Sequence, residues 1–501
     1  MKELERSSGV LLHLSSLPNK YGVGTLGKDA YEFVDFLAET KQRLWQILPI
    51  GPTGYGNSPY QSYSVFAGNL LFVSLERLTD EGLLAEEELL GFPELSEKKV
   101  EYDAVVVEKT ALLRKAYEAF TENFDDWKED YFTFLGEHSW WLTDYALFRA
   151  LKSNDENLCW NEWDDELRKR VSHAVDVALL ESDGEVNFHR FIQFIFFRQW
   201  FQLKNYANSK GILIFGDLPL YVSLDSSDVW GNQDIFMLDE KGAMTHVGGV
   251  PPDYFSETGQ YWGCPIFNWD RLAERQYDWW AARIHFNLRM FDLVRIDHFR
   301  GLESFWSIPA SEENAINGEW WPAKGFEMLS LLKSQLGYLP VIAEDLGIIT
   351  PEVEALRDAF ELPGMKVLQF AYASDATNVN LPHNYGSNFA VYTGTHDNDT
   401  TLGWLKTATK EERKNLKNYF TASWNILHRS LLETAWASVA KIAIVPMQDL
   451  LELDGKHRMN TPGTVKNNWE WRMEWRMLRK AHKDFLVDLT EKYNREVKME
   501  S

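Results

Sequence analysis

Eight short apolar runs, each ending in a polar residue, constrain this chain more than any other feature. They are GVLLHLSS (9–16), RLWQILPI (43–50), GILIFGDLPLYV (211–222), DLVRIDH (292–298), PVIAEDLG (340–347), MKVLQFAY (365–372), FAVYTGTHD (389–397) and KIAIVPMQD (441–449). Runs of this length, rich in β-branched and aromatic residues, suit strands covered on both faces. Helical patterns fill most gaps between them. Residues 28–41 place Ala30, Phe33, Val34 and Leu37 at helical spacing, and 275–291 leads into the fourth strand. In 350–360, Thr350 stands where an N-cap belongs and Pro351 at the first helical position. The stretch 404–440 reads as two helices, and 373–388 shows none. Strands alternating with helices make an α/β chain, and eight of them predict a (β/α)8 TIM barrel. An open doubly wound sheet is the alternative, but no G-x-G-x-x-G follows any strand.

The gaps are unequal, so the expectation is one interrupted catalytic barrel, 1–501, with insertions. Residues 51–210 are too long for one crossover and read as an inserted, mostly helical subdomain. Residues 223–274, rich in Gly, Asp, Pro and aromatics, form an inserted loop subdomain, and 450–470 a polar loop at the active site. Long loops of this kind usually serve as lids or binding loops. The echo WRMEWRM (471–477) is expected in an amphipathic helix.

The formal net charge is -24. That argues against nucleic acid, which needs a basic footprint, and against an anionic membrane surface. A neutral ligand is allowed, and 21 Trp, 20 Tyr and 30 Phe could supply flat faces for sugar rings or simply a large aromatic core. No apolar stretch is long enough to span a membrane, and no cleavage-site pattern follows the N-terminal apolar run. The two cysteines, Cys159 and Cys264, are far apart, which fits a reducing, cytoplasmic setting.

In a TIM barrel, chemistry sits at the C-terminal ends of the strands. Those ends hold His13, Asp217, Arg295, Asp297, His298, Glu344, Asp345, His396, Asp397 and Asp449. Any one of these acids could merely cap a helix, but the phasing of all of them with strand ends is the signal. Arg295 and Asp297 are two apart and therefore share a side of their strand. Arg295 would hold Asp297 ionised, unless the two form only a structural ion pair. Glu344 ends the next strand, while Ala343 and Asp345 face the other way. Two carboxylates flanking a cleft are the apparatus of glycoside cleavage, one attacking the sugar carbon and one protonating the leaving oxygen. Asp397 follows His396 and would bind hydroxyls; Asp399 is its rival and reads as a loop residue. His13, His298 and His396 lack metal-ligand spacing, so neither metal nor cofactor is expected.

With those residues in place, the chain resembles the amylomaltase family, the 4-α-glucanotransferases or disproportionating enzymes, relatives of the α-amylases. The resemblance runs through GVLLHLSSLP (9–18), WQILPIGPTGYGNSPYQSYSVFAGN (45–69), GDLPLYV (216–222), GGVPPDYFSETGQYWG (248–263), DLVRIDHFRG (292–301), IAEDLG (342–347), TGTHDNDT (393–400) and RMNTPGT with NWEWR (458–472). It implies Asp297 as nucleophile, Glu344 as general acid/base, Asp397 as transition-state stabiliser, and Arg295 as support for the nucleophile. It further implies Tyr60 as an aromatic platform at the cleaved bond, Asp217 as a substrate-positioning acid, and His298 and His396 as hydroxyl binders. Tyr254 and Phe255 would belong to a loop over the cleft, Trp262 would contact sugar, and Asn460 would make a polar contact from the last loop. The implied partners are maltooligosaccharides and α-1,4-glucans; nothing in the pattern sets an oligomeric state. The chain departs from the family pattern at Cys264, where Asn is expected, at Asn467, where Gly is expected, and in HLSSLP in place of HPTSLP. An α-amylase-type hydrolase and a non-catalytic glucan-binding protein are the other readings of the same residues.

Overall fold

The computed structural model describes residues 5–153, 158–252 and 256–496. Eight parallel strands form the central sheet: β1 (Ser7–Leu11), β2 (Leu44–Gln46), β3 (Leu213–Leu218), β4 (Leu293–Ile296), β5 (Val341–Ala343), β6 (Gly364–Val367), β7 (Phe389–Tyr392) and β8 (Ile442–Pro446). Each pairs with its chain-order neighbour except β5 with β6, and β8 returns to β1 with Ser7 opposite Ile442. The β5–β6 seam closes differently. The Ala343 amide donates to the Pro363 carbonyl at 2.8 Å, and the Asp345 carboxylate accepts from the Met365 amide at 2.6 Å. Gly364 leaves room for that carboxylate, since a Cβ there would stand 2.4 Å from Asp345 Oδ2. The chain is therefore the closed α/β barrel that its apolar runs predict.

Each strand is shorter than its run, because buried residues extend past the ladder into the loops that carry the polar groups. Helix Lys28–Glu39 buries Ala30, Phe33, Val34 and Leu37, and Asp278–Met290 precedes β4. Helix Pro351–Ala359 begins after Thr350, whose side chain does not cap the backbone. The stretch 404–440 differs from expectation. Three α-helices, Thr401–Thr407, Lys410–Tyr419 and Leu427–Ala437, occupy it, because Thr409 and Glu412 form a reciprocal capping box that starts a new helix. No regular element occupies 373–388.

The described residues of 51–210 hold seven α-helices, of which Tyr102–Glu122, Lys128–Lys152 and Asp183–Ser209 pack through aromatic rings. Phe120 lies 4.9 Å from Phe191 and 5.2 Å from Tyr131. Within 223–274, the strands His246–Val250 and Gln260–Pro265 form a hairpin that belongs to a four-stranded antiparallel sheet. Its other half, Ser304–Pro309 and Glu319–Pro322, follows β4, so this unit is shared between two loops. The WRMEWRM stretch is not an amphipathic helix. Trp475–Met477 make one 3-10 turn, and the residues before it lie beside the β1 loop, where Met473 N donates to Ser16 O and the Arg472 guanidinium to the carbonyls of Ser96, Leu17 and Asn19.

Candidate active site

The mouth of the barrel is organised around one guanidinium. Arg295 projects inward from β4 with its side chain 5% exposed, and burial opposes its charge. The carboxylates of Asp217 and Asp297 outweigh that cost and hold the arginine protonated. One Nη donates to both oxygens of Asp217, at 2.9 and 2.8 Å; the other donates to Asp297 Oδ1 at 2.6 Å. Asp297 therefore sits on the same side as Arg295, as their spacing predicts, and keeps part of its carboxylate open to the cleft. Val294 and Ile296 turn into the apolar layer beneath the helices.

Glu344 follows β5, the strand hydrogen-bonded to β4. Its carboxyl accepts from the His298 amide at 2.7 Å and the Leu346 amide at 3.0 Å. The first of these needs the left-handed backbone at His298, φ 52°. Burial nevertheless pushes Glu344 up to about 8, Asp297 pushes the same way, and Arg295 and the two amides pull against them. A mouth with one carboxylate paired to arginine and another held protonated has the two roles of a glycosidic acid pair already separated. Asp345 faces away, as parity requires, and binds Arg357 on the outer helix.

On the opposite wall, Asp397 accepts from Asn460 Nδ2 at 2.7 Å, and its carbonyl accepts from Arg458. Tyr60 lies parallel to His396, with ring centroids 5.3 Å apart. Its hydroxyl donates to Asp217 Oδ2 at 2.8 Å and is 2.9 Å from His396 Nε2. Burial pushes the phenol well above its usual range, so it keeps its proton. That single proton goes to Asp217, so the proton between Tyr60 and His396 resides on Nε2, which also stands 3.5 Å from Asp397 Oδ2.

Trp262 meets His298 edge to face at 4.8 Å. Burial lowers His298 to about 4, so its imidazole is neutral. Tyr254 and Phe255 lie outside the described residues. Asp217 is placed otherwise than expected: its side chain has no exposed surface, so it orients Tyr60 and Arg295 and does not present a free oxygen to a ligand. Asp399 caps its own loop through the Thr400 amide, and Asp449 binds Thr393 and Thr401. Sequence reasoning missed Arg458 and Trp469, whose ring lies 5.7 Å from Tyr60 and 5.9 Å from His396. Both fall in the quoted RMNTPGT and NWEWR segments, the available signal. Among the described residues no three His, Cys, Asp or Glu side chains group as a metal set, and no helix is long and apolar enough to cross a membrane.

The profile of the 4-alpha-glucanotransferase family matches residues 12–478. A 4-alpha-glucanotransferase of Synechocystis is 47% identical over 498 residues, covering 98% of this chain and 99% of its own. One from Thermus thermophilus is 48% identical over 481 residues, covering 94% and 95%. The solved amylomaltase of Streptococcus agalactiae in complex with acarbose superposes with a TM-score of 0.96 at 40% identity, covering 98% of this chain and 100% of its own.

Proposed function

The chain belongs to the 4-alpha-glucanotransferase family, and from that premise we propose that Asp297, Glu344 and Asp397 carry out its transfer reaction by double displacement. In the first half, an Asp297 oxygen attacks the anomeric carbon of an α-1,4-glucan. The glycosidic C–O bond breaks, and the leaving oxygen takes the proton of Glu344. An ester joins Asp297 to the glucan. In the second half, the 4-hydroxyl of another glucan attacks that carbon, gives its proton to Glu344, and releases Asp297. Two inversions return the α configuration.

The observation that carries this reading is the pairing of Asp297 with Arg295 beside a Glu344 raised to about 8. The carboxylate paired with arginine serves as nucleophile, and Glu344, held protonated at neutral pH, serves as acid. Asp397, held by Asn460 and near the Nε2–H of His396, binds sugar hydroxyls as the ring flattens. Tyr60 stacks on the sugar at the cleaved bond, and Trp262 and His298 border the cleft. Tyr254 and Phe255 complete the cover in this reading. Donor and acceptor are both maltooligosaccharides or longer α-1,4-glucans. Two separated cysteines, free where described, favour a reducing cytosol.

Two measurements test the proposal. Maltotriose should yield glucose together with longer oligomers. Glu344→Gln given α-maltosyl fluoride, whose leaving group needs no proton, should accumulate an ester on the peptide containing Asp297. An adduct on another residue, or a β-configured product, sinks the mechanism.

A further inference from the structure

Among the described residues, Cys264 ties the hairpin that borders the cleft to the loop carrying Tyr60. Cys264 lies on the returning strand Gln260–Pro265, two residues after Trp262 and on the same face. Tyr261, on the other face, is 37% exposed, whereas Cys264 is 5% exposed and Trp262 packs on His298. Cys264 Sγ accepts from Gln61 Nε2 at 3.3 Å and donates to the Trp262 carbonyl at 3.6 Å. Gln61 directly follows Tyr60, and its main chain is fixed in the loop, with its amide donating to Ser58 O and its carbonyl accepting from Gly54 N. A continuous path therefore runs from the Tyr60 loop through Gln61, Cys264 and Trp262 to His298. Burial pushes the thiol up to about 11, so it keeps its S–H and does not act as a nucleophile.

We propose that Cys264 is a positioning residue: by accepting from Gln61 it joins the two walls of the cleft and sets how often a sugar hydroxyl, and not water, resolves the glucanyl-enzyme. Both outcomes break the same ester on Asp297 and pass the incoming proton to Glu344. They differ only in which oxygen arrives. An acceptor sugar needs Tyr60 and Trp262 at a fixed separation, whereas water needs no wall at all. Loosening the link therefore costs transfer more than hydrolysis. The inference rests on Tyr60 and Trp262 as sugar-contacting faces.

The test uses the full-length enzyme with maltotriose, and compares reducing ends released by hydrolysis with longer oligomers formed. Cys264→Ala and Gln61→Leu should each raise the hydrolytic share roughly three-fold, within the range of one net hydrogen bond. Both should also raise KM for glucose as acceptor. The double variant should equal either single one, because one bond is lost in each. Cys264→Ser, which can accept and donate in the same places, should restore the share. An unchanged share in both single variants, with only a lower Tm, overturns the proposal and leaves the contact structural. Additive effects overturn it as well. If Tyr60→Ala keeps wild-type kcat and KM, the platform reading fails and this inference falls with it. If Tyr60→Ala collapses turnover while the Gln61 and Cys264 variants leave the share unmoved, only this inference fails.

Discussion

Arg295 holds Asp297 at 2.6 Å with one nitrogen while its other end is locked on the fully buried Asp217. Asp297 and the residue beneath Tyr60 thus share one cation. Lysine cannot span both carboxylates, because it presents a single point charge. Arg295→Lys should lower kcat on maltotriose by on the order of 10²–10³-fold, typical of removing a preorganised group. It should also destabilise the fold by about 3–5 kcal/mol, since Asp217 is left buried and poorly paired. Steady-state kinetics and chemical denaturation read the two effects separately.

In the proposed cycle Glu344, raised from 4.5 to about 8, predicts two pH effects of the same sign. Donor cleavage needs its proton, so the rate should fall as pH rises through about 8. For stability, between 4.5 and about 8 the folded state keeps a proton that the unfolded chain has released. Stability therefore declines as pH rises across that window. Glu344→Gln removes this contribution. Its Tm advantage over the wild type should widen from pH 5 to pH 8, and a constant difference would contradict the assignment.

Asn460 donates to Asp397 at 2.7 Å. Asn460→Ala should free the carboxylate and lower kcat/KM about ten-fold, the lower end of the range for one hydrogen bond to a charged group. Asn460→Asp should be worse, because it sets a like charge against Asp397. Kinetics of both variants on maltotriose decide it; equal activities would show that Asn460 does not orient Asp397.

Asp345 seals the β5–β6 seam through Met365 N and Arg357. Asp345→Ala leaves the buried Met365 amide without this acceptor and the buried Arg357 guanidinium with only the exposed Asp358. A loss of about 3 kcal/mol in urea is expected. Hydrogen exchange should quicken first at Ala343 and Met365.

The barrel was legible in the sequence because parallel strands are covered on both faces, and continuous apolar runs survive insertions of any length. Parity did the rest at Arg295 and Asp297, since only one register places both inward. The antiparallel sheet was not legible. Its strands are short, half exposed and interrupted by Gly248 and Gly249, and their partners lie beyond β4. The burial of Asp217 was equally hidden. Position at a strand end says which way a side chain points, but not that Tyr60, arriving from the preceding loop, closes over it. Arg458 acts through a main-chain carbonyl, a contact that leaves no pattern in residue types.

The pairing of β1 with β8, Ser7 opposite Ile442, has a consequence for synthesis. During synthesis β1 waits for β8 until the six strands between them have been made. At about 5–20 residues per second, that is a wait of roughly half a minute or more. His396 and Asp397 also come late, so no N-terminal fragment contains both walls of the mouth. A nascent chain cannot cut and rejoin glucans before β7, its loop and β8 have been made.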